Sequence, residues 1–263
     1  MDRALAKTST VAVVGAAALI WLALVAPLVT LLEHIDPGQL LATLGSSPLL
    51  SATEVSLGAS AVALLVIVCL GTPLAWLLAR GLLPMQRLWQ LGVLLPLLTP
   101  PLVVGLLLVF MLGPLTPLGS LLSHWQLSAT NTLLALIIAE VYESAPYYLV
   151  GAQAAFAAVD VELERNAQLL GDSPITSFRR ITLPLAAPGL ASALATAWAR
   201  AMGAFGAVII IAYHPFGLPL QIWVSLQETG LSSALPYALV LLAVALPLPV
   251  AAFIWSAHAQ RRY

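Results

Sequence analysis

Cysteine occurs once, at Cys69, so the chain can form no intrachain disulfide and offers no thiolate set for a metal; apolar packing is the role that remains. Lysine also occurs once, at Lys7, and no glycine precedes it. A phosphate loop ending in Gly-Lys-Ser/Thr is therefore absent, which excludes P-loop ATPase chemistry. Charged residues make up only 8% of the chain and hydrophobic residues 61%, whereas a soluble domain carries about 25% charged residues. That balance excludes a water-soluble fold. The formal net charge of -1 comes without acidic or basic blocks, so neither nucleic acid nor a surface-lying amphipathic helix is indicated. His34, His124, His214 and His258 are far apart and show no ligand spacing. No Gly-x-Ser-x-Gly elbow is present. The sequence thus assigns no catalytic residue, no metal and no cofactor to this chain.

What the chain has instead is apolar runs of about 20 residues, each enough to cross a bilayer. They predict an all-α polytopic bundle of six transmembrane helices near 11–32, 55–79, 89–112, 131–157, 186–212 and 235–257. These runs leave no room for a sizeable soluble domain, so residues 1–263 read as a single membrane domain. The first run is longer than the apolar region of a cleaved signal peptide and reads as a retained span. Prolines at 27, 73, 96, 100, 101, 146, 188, 236, 247 and 249 fall inside or beside the runs, a density that membrane bundles tolerate.

Arg3, Lys7, Arg80, Arg87, Arg165, Arg179, Arg180, Arg261 and Arg262 all fall in alternate connections or at the ends. The opposite loops, near 33–54, 113–130 and 213–234, contain Glu33, Asp36 and Glu228 but no Lys or Arg. Positive residues stay on the cytoplasmic side, so both termini are expected there. Arg200 falls within span five, and Glu140 and Glu143 within span four. Each costs at least about 2.5 kcal/mol near mid-membrane, so such groups face a bundle interior or wet cavity and find partners. A Glu143–Arg200 pair is expected, with two readings: a structural interhelical bond, or a place on an anion pathway. Phe205 beside Gly206 likewise reads either as packing or as a constriction, since glycine permits close helix approach.

The longest basic loop, 160–184, reads as helix, break, helix. Asp160 is a cap, Glu162 and Glu164 lie in the first turn, and Leu163, Ala167 and Leu170 share a face. Gly171 is a stop, and Ser173-Pro174 is a cap and first helical residue. The second helix, with Ile175 and Phe178 on one side, is expected to end near Pro184.

The run from Asn166-Ala167-Gln168-Leu169-Leu170-Gly171-Asp172-Ser173-Pro174 through Ile181-Thr182-Leu183-Pro184 to Pro188-Gly189 resembles the EAA loop of ABC importer permeases. Gly71-Thr72-Pro73-Leu74-Ala75-Trp76-Leu77-Leu78-Ala79-Arg80 is similar to the same family. Leu95-Pro96-Leu97-Leu98-Thr99-Pro100-Pro101 resembles oxyanion-importing members, and the stretch from Trp198 through Arg200, Phe205 and Gly206 to His214-Pro215 resembles molybdate and tungstate permeases. The resemblance implies a type I ABC importer permease fold and a coupling loop that docks on a separate ATPase, with Glu164, Arg165, Ala167, Gly171, Asp172, Ser173, Pro174 and Phe178 at the coupling site. Glu143, Arg200, Phe205 and Gly206 would then lie on the translocation path or its gate.

Two departures stand out. Arg165 occupies the place of the family's leading Glu, which leaves two readings, replacement by Glu164 one position earlier or a complementary change in the partner subunit, and Ala204 stands where relatives often have Glu. The resemblance further implies ATP and Mg on partner ATPase subunits, an extracytoplasmic substrate-binding protein, a permease homodimer and a bacterial or archaeal cytoplasmic membrane. Tungstate or molybdate is the expected substrate; sulfate or thiosulfate is the alternative. An ion-coupled secondary transporter, which would show internal repeats, is a third reading.

Overall fold

The computed structural model describes the backbone of residues 2–260 and the side chains of 13–258. Arg3, Lys7, Arg261 and Arg262, on which part of the charge argument rests, lie outside the described side chains. Every regular element among the described residues is helical. In chain order these are α1 (Asp2–Glu33), α2 (Pro37–Leu44), α3 (Ser47–Arg80), α4 (Gln86–Leu98), α5 (Pro101–Leu112), α6 (Pro117–His124) and α7 (Leu133–Ala157). There follow α8 (Val161–Leu169), α9 (Pro174–Ser177), a π-helical turn (Phe178–Thr182), α10 (Leu183–Met202), α11 (Val208–Ile211), α12 (Leu218–Thr229), α13 (Leu231–Ala245) and α14 (Pro247–Gln260).

Five helices or helix runs are long and apolar enough to cross a membrane, and a sixth candidate is the bent pair α4–α5. Span two is longer than its apolar run: the 34 residues of α3 make a rod of about 50 Å, against a hydrocarbon core of about 30 Å. Span three departs from a continuous helix. Its two halves meet at 114°, because Thr99 and Pro100 are extended (ψ 129° and 137°), and tandem prolines both disfavour the α region in the preceding residue and remove donors. Span five also differs from 186–212. Helix α10 stops at Met202, and the chain runs through a non-helical Gly203–Ala207 segment before α11.

The centre is α7, packed between α3 and α10. A Cβ on Gly151 would lie 2.7 Å from Ala193 Cβ, and one on Gly189 would lie 2.5 Å from Ala155 Cβ. Those missing side chains let α7 and α10 approach backbone to backbone, the packing mode membrane helices favour. The buried side chains form two main clusters. One gathers Val104, Leu108, Leu136, Ala139, Ala207, Val208 and Ile211; the other gathers Ile67, Ala75, Tyr148, Ala152, Phe156, Ala186 and Ala193. Along α7 the buried Glu140, Glu143 and Ser144 fall between the parts belonging to the two clusters, so the intramembrane carboxyls sit at an internal seam.

Candidate functional site

The 158–183 loop is built by local signals. Asp160 accepts the Glu162 N–H and opens α8; Ser173 accepts the Thr176 N–H and opens α9, with Pro174 in its first turn. Between them Gly171 has φ 103°. Its N–H reaches Gln168 O at 3.0 Å, and the Asp172 N–H reaches Ala167 O at 3.1 Å. This is the Schellman closure, in which a left-handed residue turns the chain back on its own last carbonyls. No atom lies within 4 Å of a Cβ built on Gly171, so the requirement for glycine is conformational and not steric.

The second helix does not end at Pro184. It runs through the π turn, where the Leu183 N–H bonds to Phe178 O, directly into α10. The wide turn lies next to the position where Pro184 supplies no N–H, and Pro184 falls in the first turn of α10, where that loss is tolerated.

This loop divides its residues between two faces. Leu169, Leu170 and Ile175 are 85%, 90% and 71% exposed at its crest. Arg165 pairs with Glu162 at 2.6 Å and Arg180 with Asp172 at 3.3 Å, both on the outside. Gly171, Ser173 and Pro174 are exposed and Ala167 is half-buried. Phe178 turns inward, its ring 5.7 Å from that of Trp76 on α3 and 6.0 Å from that of Phe156 on α7. Glu164 is buried as well, bonded to Arg80 and to Thr182. The carboxylate of Glu164 is thus engaged inside the protein, and the outward charges at that turn are Arg165 and its partner Glu162.

In the membrane bundle, Arg200 Nη2 lies 2.7 Å from Glu143 Oε2, with the Glu143 side chain 2% exposed and Arg200 28%. Glu143 Oε1 accepts the Ala207 N–H at 2.9 Å. One carboxylate therefore ties α7 both to α10 and to the non-helical segment beyond it. The Arg200 guanidinium also lies 5.9 Å from the centroid of Tyr147, within cation–π range. Gly206 lies against the other break: a Cβ there would be 2.4 Å from Pro101 Cβ. Phe205 packs on Trp223 of α12, with ring centroids 5.7 Å apart. The two interrupted spans thus cross where both backbones leave helical geometry.

At the face opposite the loop platform, Asn131 fixes the α11–α12 connection. Its N–H bonds Ile211 O at 2.8 Å and its side chain accepts the Tyr213 N–H at 3.1 Å. Ser56 Oγ accepts the Leu218 N–H at 2.8 Å. Neither residue is singled out by the sequence, because each acts on a partner more than 80 positions away. No group of His, Cys, Asp and Glu suited to a metal occurs among the described residues.

The profile of binding-protein-dependent transport system inner membrane components matches residues 67–263. A protein of Haloferax volcanii, named a probable molybdenum ABC transporter permease protein, is 40% identical over 210 residues, covering 80% of this chain and 77% of the relative. A molybdenum transport system permease protein of Mycobacterium tuberculosis is 31% identical over 223 residues, 83% and 84% of the two chains. Relatives named as molybdate/tungstate and as sulfate transport permeases match as well. Among solved structures, a chain of the bacterial alginate ABC transporter superposes with a TM-score of 0.70 at 21% identity, covering 93% of this chain and 91% of the other; at that identity it establishes the fold, a type I importer permease bundle. The chain belongs to the family of binding-protein-dependent transport system inner membrane components.

Proposed function

We propose that this chain is the membrane-spanning subunit of an ATP-driven importer of molybdate or tungstate, with both termini cytoplasmic. The observation that carries the reading is the crest of the 158–183 loop. Leu169, Leu170 and Ile175 stand largely exposed on or beside two capped short helices. These residues lie between spans, where lipid tails do not cover them, and exposed apolar side chains framed by charge mark a protein contact. A separate ATPase subunit, carrying ATP and Mg, is the partner of that face. An extracytoplasmic binding protein would deliver the anion on the opposite side, and a second copy of this chain would complete the pathway. Phe178, wedged against α3 and α7, connects the docking face to the bundle. Closure of the ATPase would thereby swing the spans and alternate access.

The oxyanion reading is supported by the names of the relatives and by Arg200. Its guanidinium keeps part of its surface open while Glu143 is enclosed, so positive charge is the one presented outward from the pair. The sulfate permeases among the relatives make sulfate the second reading. The test is accumulation of molybdenum, tungsten and sulfate-derived sulfur in a deletion strain and its complemented counterpart, fed trace oxyanion with and without energy depletion. Energy-dependent recovery of molybdenum or tungsten is expected. Recovery of sulfur alone would install the sulfate reading, and recovery of none would remove the oxyanion assignment.

A further inference from the structure

We infer that Arg80, at the end of α3, is the positioning residue that makes the docking loop and the bundle move as one body, holding the Val159 carbonyl and Glu164 and, through Glu164, Thr182. The inference rests on the coupling role proposed above for the loop. The guanidinium bonds two partners directly, and one of them, Glu164, gathers a third. Its Nη1 donates to Val159 O, just beyond α7, at 3.0 Å; its Nη2 donates to Glu164 Oε1 on α8. Thr182 Oγ1, immediately before α10, donates to the same Glu164 oxygen. The two charged side chains are only 7% and 11% exposed.

A buried ion pair of this kind contributes little net stability relative to an apolar pair but strongly penalises separation of its members. That asymmetry suits a joint. Beside the Phe178 contact, which is apolar, this joint is ionic: moving α8 away from α3 would leave a carboxylate and a guanidinium unpaired out of water. Displacement of the exposed crest therefore drags α3 and the start of α10 with it. Because Glu164 faces inward, its removal does not alter the docking surface itself, and this separates a joint from a docking contact.

The experiment uses the assembled transporter, with its ATPase subunits, in proteoliposomes, reading anion transported per ATP hydrolysed alongside ATPase subunit retained on purification. For Arg80→Gln and Glu164→Gln we expect retention close to wild type and a fall of about tenfold in anion per ATP, the scale of losing a charge-assisted hydrogen bond. Arg80→Lys, which keeps the charge but not the two-pronged geometry, should fall between. Thr182→Val, which keeps shape and loses one donor, should lower the ratio by about two- to threefold. Folded Arg80→Gln with a wild-type ratio would overturn the proposal, as would loss of the ATPase subunit from it, which would make Arg80 a docking residue. Should Arg80→Gln not accumulate, wild-type ratios in both Arg80→Lys and Thr182→Val overturn it equally. Failure of the unaltered chain to retain any ATPase subunit would instead remove the coupling reading itself, a result distinct from a variant-specific change in ratio.

Discussion

At the scale of single residues, the partners of Glu143 decide what its pairing with Arg200 contributes. The carboxylate is enclosed and holds two groups, the Arg200 guanidinium and the Ala207 N–H, whereas Arg200 retains some exposure and a tyrosine face. Removing the cation alone strands a buried carboxylate, at a cost of about 3 kcal/mol. Arg200→Ala should accordingly unfold well below wild type in detergent, followed by tryptophan fluorescence. The double variant Arg200→Ala with Glu143→Gln removes the stranded charge yet keeps an acceptor for Ala207, and should recover about 1 kcal/mol or more of that loss. A double variant as unstable as the sum of the two single changes would contradict the geometry. Both residues were recognisable in the sequence, because charge inside an apolar run is conspicuous. The bond to Ala207 was not, since nothing local in an alanine announces that its N–H is held by a helix 64 positions away.

At the scale of elements, legibility followed the range of the interaction that fixes each one. Asp160, Gly171 and Ser173-Pro174 declare α8, its stop and α9 because capping acts within three residues. Prolines were poorer guides. Pro73, Pro146 and Pro188 lie within helices that continue, whereas Pro100-Pro101 bends its span through 114°, and Pro184 starts a helix it was expected to end. The outcome depends on whether neighbouring turns absorb the missing donor, as the π turn before α10 does. The break at Gly203–Ala207 is set against Glu143 and Pro101 from other helices, and no local pattern reveals it. For the loop itself, the left-handed Gly171 yields a sharp expectation. Gly171→Val meets no steric obstacle but forces a β-branched residue to φ 103°, a strain of about 1–3 kcal/mol. The loop should relax to another shape, leaving membrane insertion intact while transport-coupled ATP hydrolysis falls by about tenfold or more. Gly171→Asn, which adopts positive φ more readily, should lose distinctly less. Equal loss for the two, or none for valine, would show that the turn geometry is immaterial.

At the scale of the whole molecule, the loop platform and the α6–α7 connection must lie on opposite membrane faces. A single helix separates them: α7, whose 25 residues span about 37 Å, more than the bilayer core of about 30 Å. Charge indicates which face is which, since Arg165, Arg179 and Arg180 flank the platform and residues 113–130 contain no Lys or Arg. Single cysteines at Leu170 and Leu127, both exposed, placed in a Cys69→Ala background that removes the one exposed native thiol, turn this into a measurement. In intact cells a membrane-impermeant maleimide should label Leu127→Cys and leave Leu170→Cys unmodified until the membrane is permeabilised. The same label then tests occupancy of the platform. With ATPase subunits present, modification of Leu170→Cys in permeabilised membranes should slow by about tenfold, because residues at the centre of an interface are shielded from water, while Leu127→Cys reacts unchanged. Labelling of Leu170→Cys in intact cells would invert the topology and leave the apolar crest facing away from any nucleotide-driven partner. Correct sidedness without protection would keep the orientation and move the docking face away from Leu170.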